Sequence, residues 1–117
     1  MLARLSRLFR RPASAPICVE PAELHRWLAG EGAPIVVDVR GSDEFDGPLG
    51  HIEGARNIPL AELPAYTKDL AAEGRALVMV CLTDKRSSQA AAELVAAGLR
   101  HVAVLRGGMK AWREGRG

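Results

Sequence analysis

Aromatic residues are scarce in this chain: two Trp, two Phe and one Tyr make up 4% of its 117 residues. A core must therefore be assembled from Ala, Val, Leu and Ile. Cysteine is scarcer still, with only Cys18 and Cys81. Two cysteines cannot make a disulfide framework, and the four-ligand Cys/His spacing of a structural zinc site is absent. No uninterrupted apolar run approaches the ~20 residues that span a bilayer. Repeats of solenoid length are missing as well. What remains is ordinary for a soluble globular protein, 48% apolar and 26% charged residues, at a length suited to one domain.

The formal net charge of +2 is unevenly placed. Residues 1–16 carry Arg4, Arg7, Arg10 and Arg11 and no acid, which leaves 12 bases against 14 acids in the rest. A nucleic-acid-binding domain spreads basic residues over its folded face, so a mildly acidic body argues against nucleic acid as a partner. Residues 1–16 read as a basic N-terminal extension and 17–117 as the folded domain. The extension is expected to be solvated and flexible; Leu2, Leu5 and Phe9 would share one face of a short basic helix, so contact of residues 1–11 with an anionic membrane surface is the lesser reading. A secretory signal needs roughly 7–15 consecutive apolar residues, and the arginines interrupt any such run.

Beyond the extension, apolar runs alternate with helical segments. Ile17–Val19 reads as an edge strand, with Cys18 structural. Pro21 opens a helix through Leu28, because proline suits a first helical turn. Residues 34–39, 76–80 and 102–105 are almost continuous apolar runs, the mark of strands covered on both faces. Ser42 is expected to cap a helical turn through Phe45, and a brief strand falls near 55–58. Residues 60–72 read as one helix or two, broken at Pro64. Ser87–Ala97 is an Ala-rich helix closed by Gly98. After Gly107 and Gly108 a last helix runs through Trp112. The expected class is α/β, with a central, mostly parallel sheet of about five strands and helices on both faces.

One segment concentrates chemistry: Val80-Cys81-Leu82-Thr83-Asp84-Lys85-Arg86-Ser87. A buried strand ends at a cysteine, a short loop follows, and a helix begins. Ligands of open parallel sheets bind beyond the carboxyl ends of strands. A tight strand-to-helix turn lets backbone N–H groups converge into an anion-binding nest, and the helix adds its positive dipole end. Lys85 and Arg86 are cations at a helix start, where cations are unfavourable unless an anion is bound. Each feature stabilises negative charge at the strand end, and the thiolate, not the thiol, is the nucleophile. An inert buried cysteine is the competing reading of Cys81 on local grounds.

Across most of residues 17–115 the chain resembles the rhodanese family of sulfurtransferases. The resemblance rests on Val36-Val37-Asp38-Val39-Arg40, on Glu44-Phe45, on Gly50-His51-Ile52-Glu53-Gly54-Ala55 and on Asn57-Ile58-Pro59. Residues Cys81 to Ser87 and Leu105-Arg106-Gly107-Gly108 leading to Trp112 complete it. It implies a single rhodanese-like domain in which Cys81 is the nucleophile. Cys81 and Arg86 enclose four residues, the sulfurtransferase loop length in this family; related phosphatases and arsenate reductases enclose five. The implied reaction is ping-pong. Cys81 takes a sulfane sulfur from thiosulfate or a similar small anion as a persulfide and hands it to cyanide, a thiol or a protein cysteine. Leu82, Thr83, Asp84, Lys85, Arg86 and Ser87 would bind the substrate, with Arg86 closing the loop on the anionic end of the donor. No metal or organic cofactor is implied.

Asp84 departs from the glycine that many family loops carry there. Asp tolerates the left-handed backbone region better than most residues, but its charge opposes a dianionic donor. Asp38 and Arg40 are expected to brace neighbouring loops, and His51 to pack and hydrogen-bond near the sheet; all three are supporting residues. His25 and His101 lack metal-ligand spacing, and Trp27 and Trp112 are expected to pack on the core. Two functions remain open from the residues: an enzyme that turns over small donors, or a sulfur carrier or protein-interaction module whose acceptor is a partner protein. Few cysteines and no secretory signal point to a reducing cytoplasm.

Overall fold

The computed structural model of the protein describes residues 16–115. The basic segment of residues 1–15, with its amphipathic and membrane-surface readings, lies outside the described residues. The apolar runs become the strands of one five-stranded, wholly parallel sheet: β1 (Ile17–Val19), β2 (Ile35–Asp38), β3 (Arg56–Asn57), β4 (Leu77–Val80) and β5 (Val102–Leu105), in spatial order β1-β5-β4-β2-β3. Ile35 pairs with Leu77 and Asp38 with Val80, so β2 and β4 end level with each other.

Side chains of a strand alternate between faces, and here both faces are covered. Val36, Val78, Val80, Ala103 and Leu105 pack with Leu24 of α1 (Pro21–Ala29) and with Met109 and Trp112 of α5 (Gly108–Gly115). Val37, Val39, Leu77, Met79, Cys81 and Val104 pack with Leu63 and Leu70, and with Ala90, Ala91 and Leu94 of α4 (Lys85–Ala96). Alanines on the buried face of α4 let its backbone approach the sheet closely. With few aromatics available, small and branched aliphatic side chains fill the interior; Trp112 is the one buried aromatic among the described residues.

Three local expectations change. Ser42 does not cap α2 (Ser42–Phe45); the cap is Gly41, whose N–H donates to Glu44 Oε1 at 3.2 Å, the Glu reaching back as in a capping box. The 60–72 segment divides after Tyr66 rather than at Pro64: a 3₁₀ helix (Leu60–Tyr66) carries the proline and hands over to α3 (Thr67–Glu73). α4 starts at Lys85, two residues before Ser87, because Asp84 takes the N-cap position. Cys18 faces solvent, since the alternation of β1 turns Ile17 and Val19 inward and Cys18 out. No helix among the described residues is long and apolar enough to cross a membrane.

Candidate active site

β4 is the central strand, flanked by β5 and β2. The chain leaves β4 toward β5 through α4, whereas β2 leads outward to β3, so connections part on either side at this point. In open parallel sheets, ligands bind beyond the carboxyl ends of the strands at such a reversal. Cys81 is the first residue beyond β4 and is 1% exposed. Its Sγ lies 3.3 Å from the backbone N of Ser87, which donates to it, and 3.3 Å from Ser87 Oγ. Ser87 is itself fully buried in the first turn of α4. The sulfur therefore rests at the positive end of a twelve-residue helix, where the first N–H groups have no partner within the helix.

The outer side of the loop is held by α5. Met109 N–H donates to Cys81 O at 2.9 Å and Lys110 N–H to Leu82 O at 3.0 Å. These bonds turn the carbonyls of Cys81 and Leu82 toward α5. Gly108 makes the contact feasible. Its φ is +58°, and a Cβ placed there would overlap Thr83 O and Cys81 O and stand 2.7 Å from the Leu82 carbonyl carbon. Gly108 thus shapes the site, although in the sequence it reads only as a turn.

Within the loop, Leu82, Thr83, Asp84 and Lys85 are exposed and Arg86 is partly so. Asp84 does not use the left-handed region anticipated for it. Its φ is −145°, and no described residue other than glycine has a positive φ. The loop thus closes on a residue of negative φ, for which glycine is unnecessary. Arg86 crosses to α2 and forms a fork on Glu44, Nη1 to Oε1 at 2.7 Å and Nη2 to Oε2 at 2.9 Å. The Arg86 fork and the Gly41 N–H hold the Glu44 carboxyl down at about 2 against the opposing effect of burial. Glu44 in turn raises the pKa of Arg86. Glu44 joins the loop as a second residue that the sequence does not place at the site.

The residues expected to support the site lie on the β2 side. Asp38 and Arg40, each 1% exposed, form a buried fork at 2.9 and 2.7 Å. Arg40 also donates to Gly50 O at 2.7 Å, and Asn57 Nδ2 donates to Asp38 O and Arg40 O. This network fixes the segment from β2 to α2, and with it Glu44. His51 stacks on Phe45 at 3.6 Å between ring centroids, and its Nδ1 makes a 2.9 Å bond to Phe45 O. Arg113 Nε donates to Leu49 O at 2.8 Å, tying the same turn to α5. Asp38, Arg40 and His51 thus bond within the segment from β2 to residue 57. His25 stacks on Trp112, and no cluster among the described residues has the composition of a metal site.

A family model described as a rhodanese-like domain matches residues 20–115. The chain belongs to the rhodanese family. An uncharacterized protein of Bacillus subtilis, YqhL, is 37% identical over 86 residues, which cover 74% of this chain and 66% of that protein. GlpE, a thiosulfate sulfurtransferase of Pseudomonas fluorescens, is 35% identical over 96 residues, 80% of this chain and 83% of GlpE. A rhodanese-related protein from Thermoplasma volcanium has the same fold, with a TM-score of 0.73 at 28% identity over 85% of this chain and 92% of that one. The chain spans less than two thirds of several curated relatives, from 66% down to 24% of their length. The rhodanese-like domain thus places its loop cysteine, with the α4 N-terminus behind it, at the carboxyl end of the central strand.

Proposed function

We propose that this domain is a sulfurtransferase that carries sulfane sulfur as a persulfide on Cys81. The observation that supports it most is the seat of Cys81 Sγ, buried at the foot of the loop, receiving the Ser87 N–H at 3.3 Å at the start of α4. In the first half-reaction the Cys81 thiolate attacks the sulfane sulfur of a donor such as thiosulfate. A new S–S bond forms, the old one breaks, and its electron pair leaves with sulfite. In the second, cyanide or a thiolate takes the outer sulfur and Cys81 returns as thiolate. Charge balances in both steps and no external oxidant enters. The persulfide anion is stabilised by the first-turn N–H groups of α4, an arrangement fixed before the reaction and therefore free of reorganisation.

Ser87 Oγ, 3.3 Å from Sγ, donates to the sulfur whenever it is anionic. Leu82 to Arg86 form the wall that the donor meets. The donors are small sulfur-containing anions and the acceptor is a low-molecular-weight or protein thiol. A reducing compartment such as the cytoplasm keeps Cys81 free for this cycle. The test is thiocyanate formation from a sulfane donor and cyanide. The wild type is expected to show ping-pong kinetics and Cys81→Ser none; equal rates in both would overturn the proposal.

A further inference from the structure

Resting on that sulfurtransferase reading, we infer that Glu44 is a positioning residue that sets donor charge selectivity: it engages both terminal nitrogens of Arg86, so the loop favours monoanionic sulfane donors with an apolar group beside the reacting sulfur over the thiosulfate dianion. Several charged groups bear on the entrance. Arg86 is engaged at both terminal nitrogens by Glu44. Asp38 and Arg40 cancel each other in a buried fork behind it. Asp84 and Lys85 are adjacent, exposed and of opposite sign. The charges of the loop and of its Glu44 partner are therefore balanced, although the sequence Lys85-Arg86 reads as doubly cationic.

A fork of two charge-assisted bonds is the geometry in which guanidinium recognises a carboxylate or any planar oxyanion. An oxyanion donor would compete with Glu44 for it. Glu44 holds the advantage because it is anchored: its Oε1 also accepts the Gly41 N–H at 3.2 Å, and its carboxyl stays ionised down to about pH 2. The same entrance offers apolar surface. Leu82, directly after Cys81, is 36% exposed and is one of only two large hydrophobic side chains exposed among the described residues. A donor with a methyl or alkyl group in place of one anionic oxygen loses a charge that the loop does not match and gains a contact that it does.

Thiosulfate and methanethiosulfonate provide the comparison, since they share the sulfane sulfur and differ in one charge and one methyl group. With the second donor, Cys81 thiolate takes the sulfur, the S–S bond of the donor breaks, and methanesulfinate leaves with the electron pair. Both donors are assayed with cyanide on the full chain and on Glu44→Gln, which keeps the size and the acceptor for Gly41 but removes the charge that holds Arg86. Freeing the guanidinium is expected to lower KM for thiosulfate about four-fold and KM for methanethiosulfonate about two-fold, because Coulomb attraction scales with donor charge and the exposed pair is partly screened. The kcat values should move less than about two-fold, and each donor's change relative to wild type cancels its intrinsic reactivity.

Equal shifts for both donors, or none, would overturn the inference while leaving the persulfide cycle intact. Loss of turnover with both donors would assign Glu44 a purely structural role and overturn it too. Absence of a Cys81 persulfide from either donor in the wild type would remove the sulfurtransferase reading and the inference together. Should Glu44→Gln fail to fold, Glu44→Asp, which keeps the charge but shortens the reach to Arg86, should show the same ordering with smaller shifts.

Discussion

Replacing Gly108 by alanine tests whether α5 shapes the loop. Three costs are legible. The backbone at φ +58° disfavours an L side chain by roughly 1–2 kcal/mol. The new Cβ would stand 2.7 Å from the Leu82 carbonyl carbon and overlap two carbonyl oxygens, so loop and helix must separate by on the order of 1 Å. That movement stretches the bonds from Met109 N–H to Cys81 O and from Lys110 N–H to Leu82 O, each contributing about 1 kcal/mol. The total of about 3–4 kcal/mol is a large part of the stability of a small domain but need not unfold it. A displacement of that size at a reacting centre lowers rates by roughly 100-fold. Gly74→Ala is the matched control: φ is +65° there, an added methyl group would meet nothing within 4 Å, and the residue lies at the opposite end of β4. It should cost about 1 kcal/mol and leave turnover unchanged. Urea denaturation and the thiocyanate assay on both variants read the two effects. If Gly108→Ala matches Gly74→Ala in stability and the wild type in rate, the packing argument is wrong.

Further outcomes follow from the ion pairs. Arg40→Met leaves the Asp38 carboxylate buried without its cation and Gly50 O without its donor, and should destabilise the domain by about 3–5 kcal/mol in chemical denaturation. Asp38→Asn with Arg40→Met should recover part of that loss, a double-mutant cycle that isolates the pair. The Glu44 carboxyl is depressed from 4.5 to about 2, so its stabilisation is complete above pH 4.5 and is lost as the pH falls from there through about 2. Both side chains of the Glu44–Arg86 pair are 38% exposed, which screens the gain to below ~1 kcal/mol. Glu44→Gln should therefore flatten the acid limb of the stability curve modestly, and a salt concentration of about 1 M should shrink the difference.

The sheet is legible in the sequence because strands covered on both faces must be apolar throughout, and Ile35–Val37, Leu77–Val80 and Val102–Leu105 are. Cys81 is legible because it ends one of those runs and a breaker-free helix follows. The Glu44–Arg86 fork is not, since its partners lie 42 positions apart and meet only because β2 and β4 are neighbours. Gly108 reads as a turn because nothing local reveals that its missing Cβ faces Cys81 O and Thr83 O. Asp84 suggests a glycine conformation, but α4 begins early enough for a residue of negative φ to close the loop. The exposure of Cys18 follows from the alternation of its three-residue strand, which turns Ile17 and Val19 inward.

The central claim is sulfur on Cys81, and an intact-mass spectrum tests it most directly. The protein is treated with thiosulfate and, separately, with methanethiosulfonate, without reductant, beside Cys81→Ser and Cys18→Ser, the latter because Cys18 is an exposed thiol. A gain of one sulfur atom is expected in the wild type and in Cys18→Ser, reversed by cyanide and absent from Cys81→Ser. Sulfur retained by Cys81→Ser, or no sulfur gained from either donor by the wild type, would contradict it.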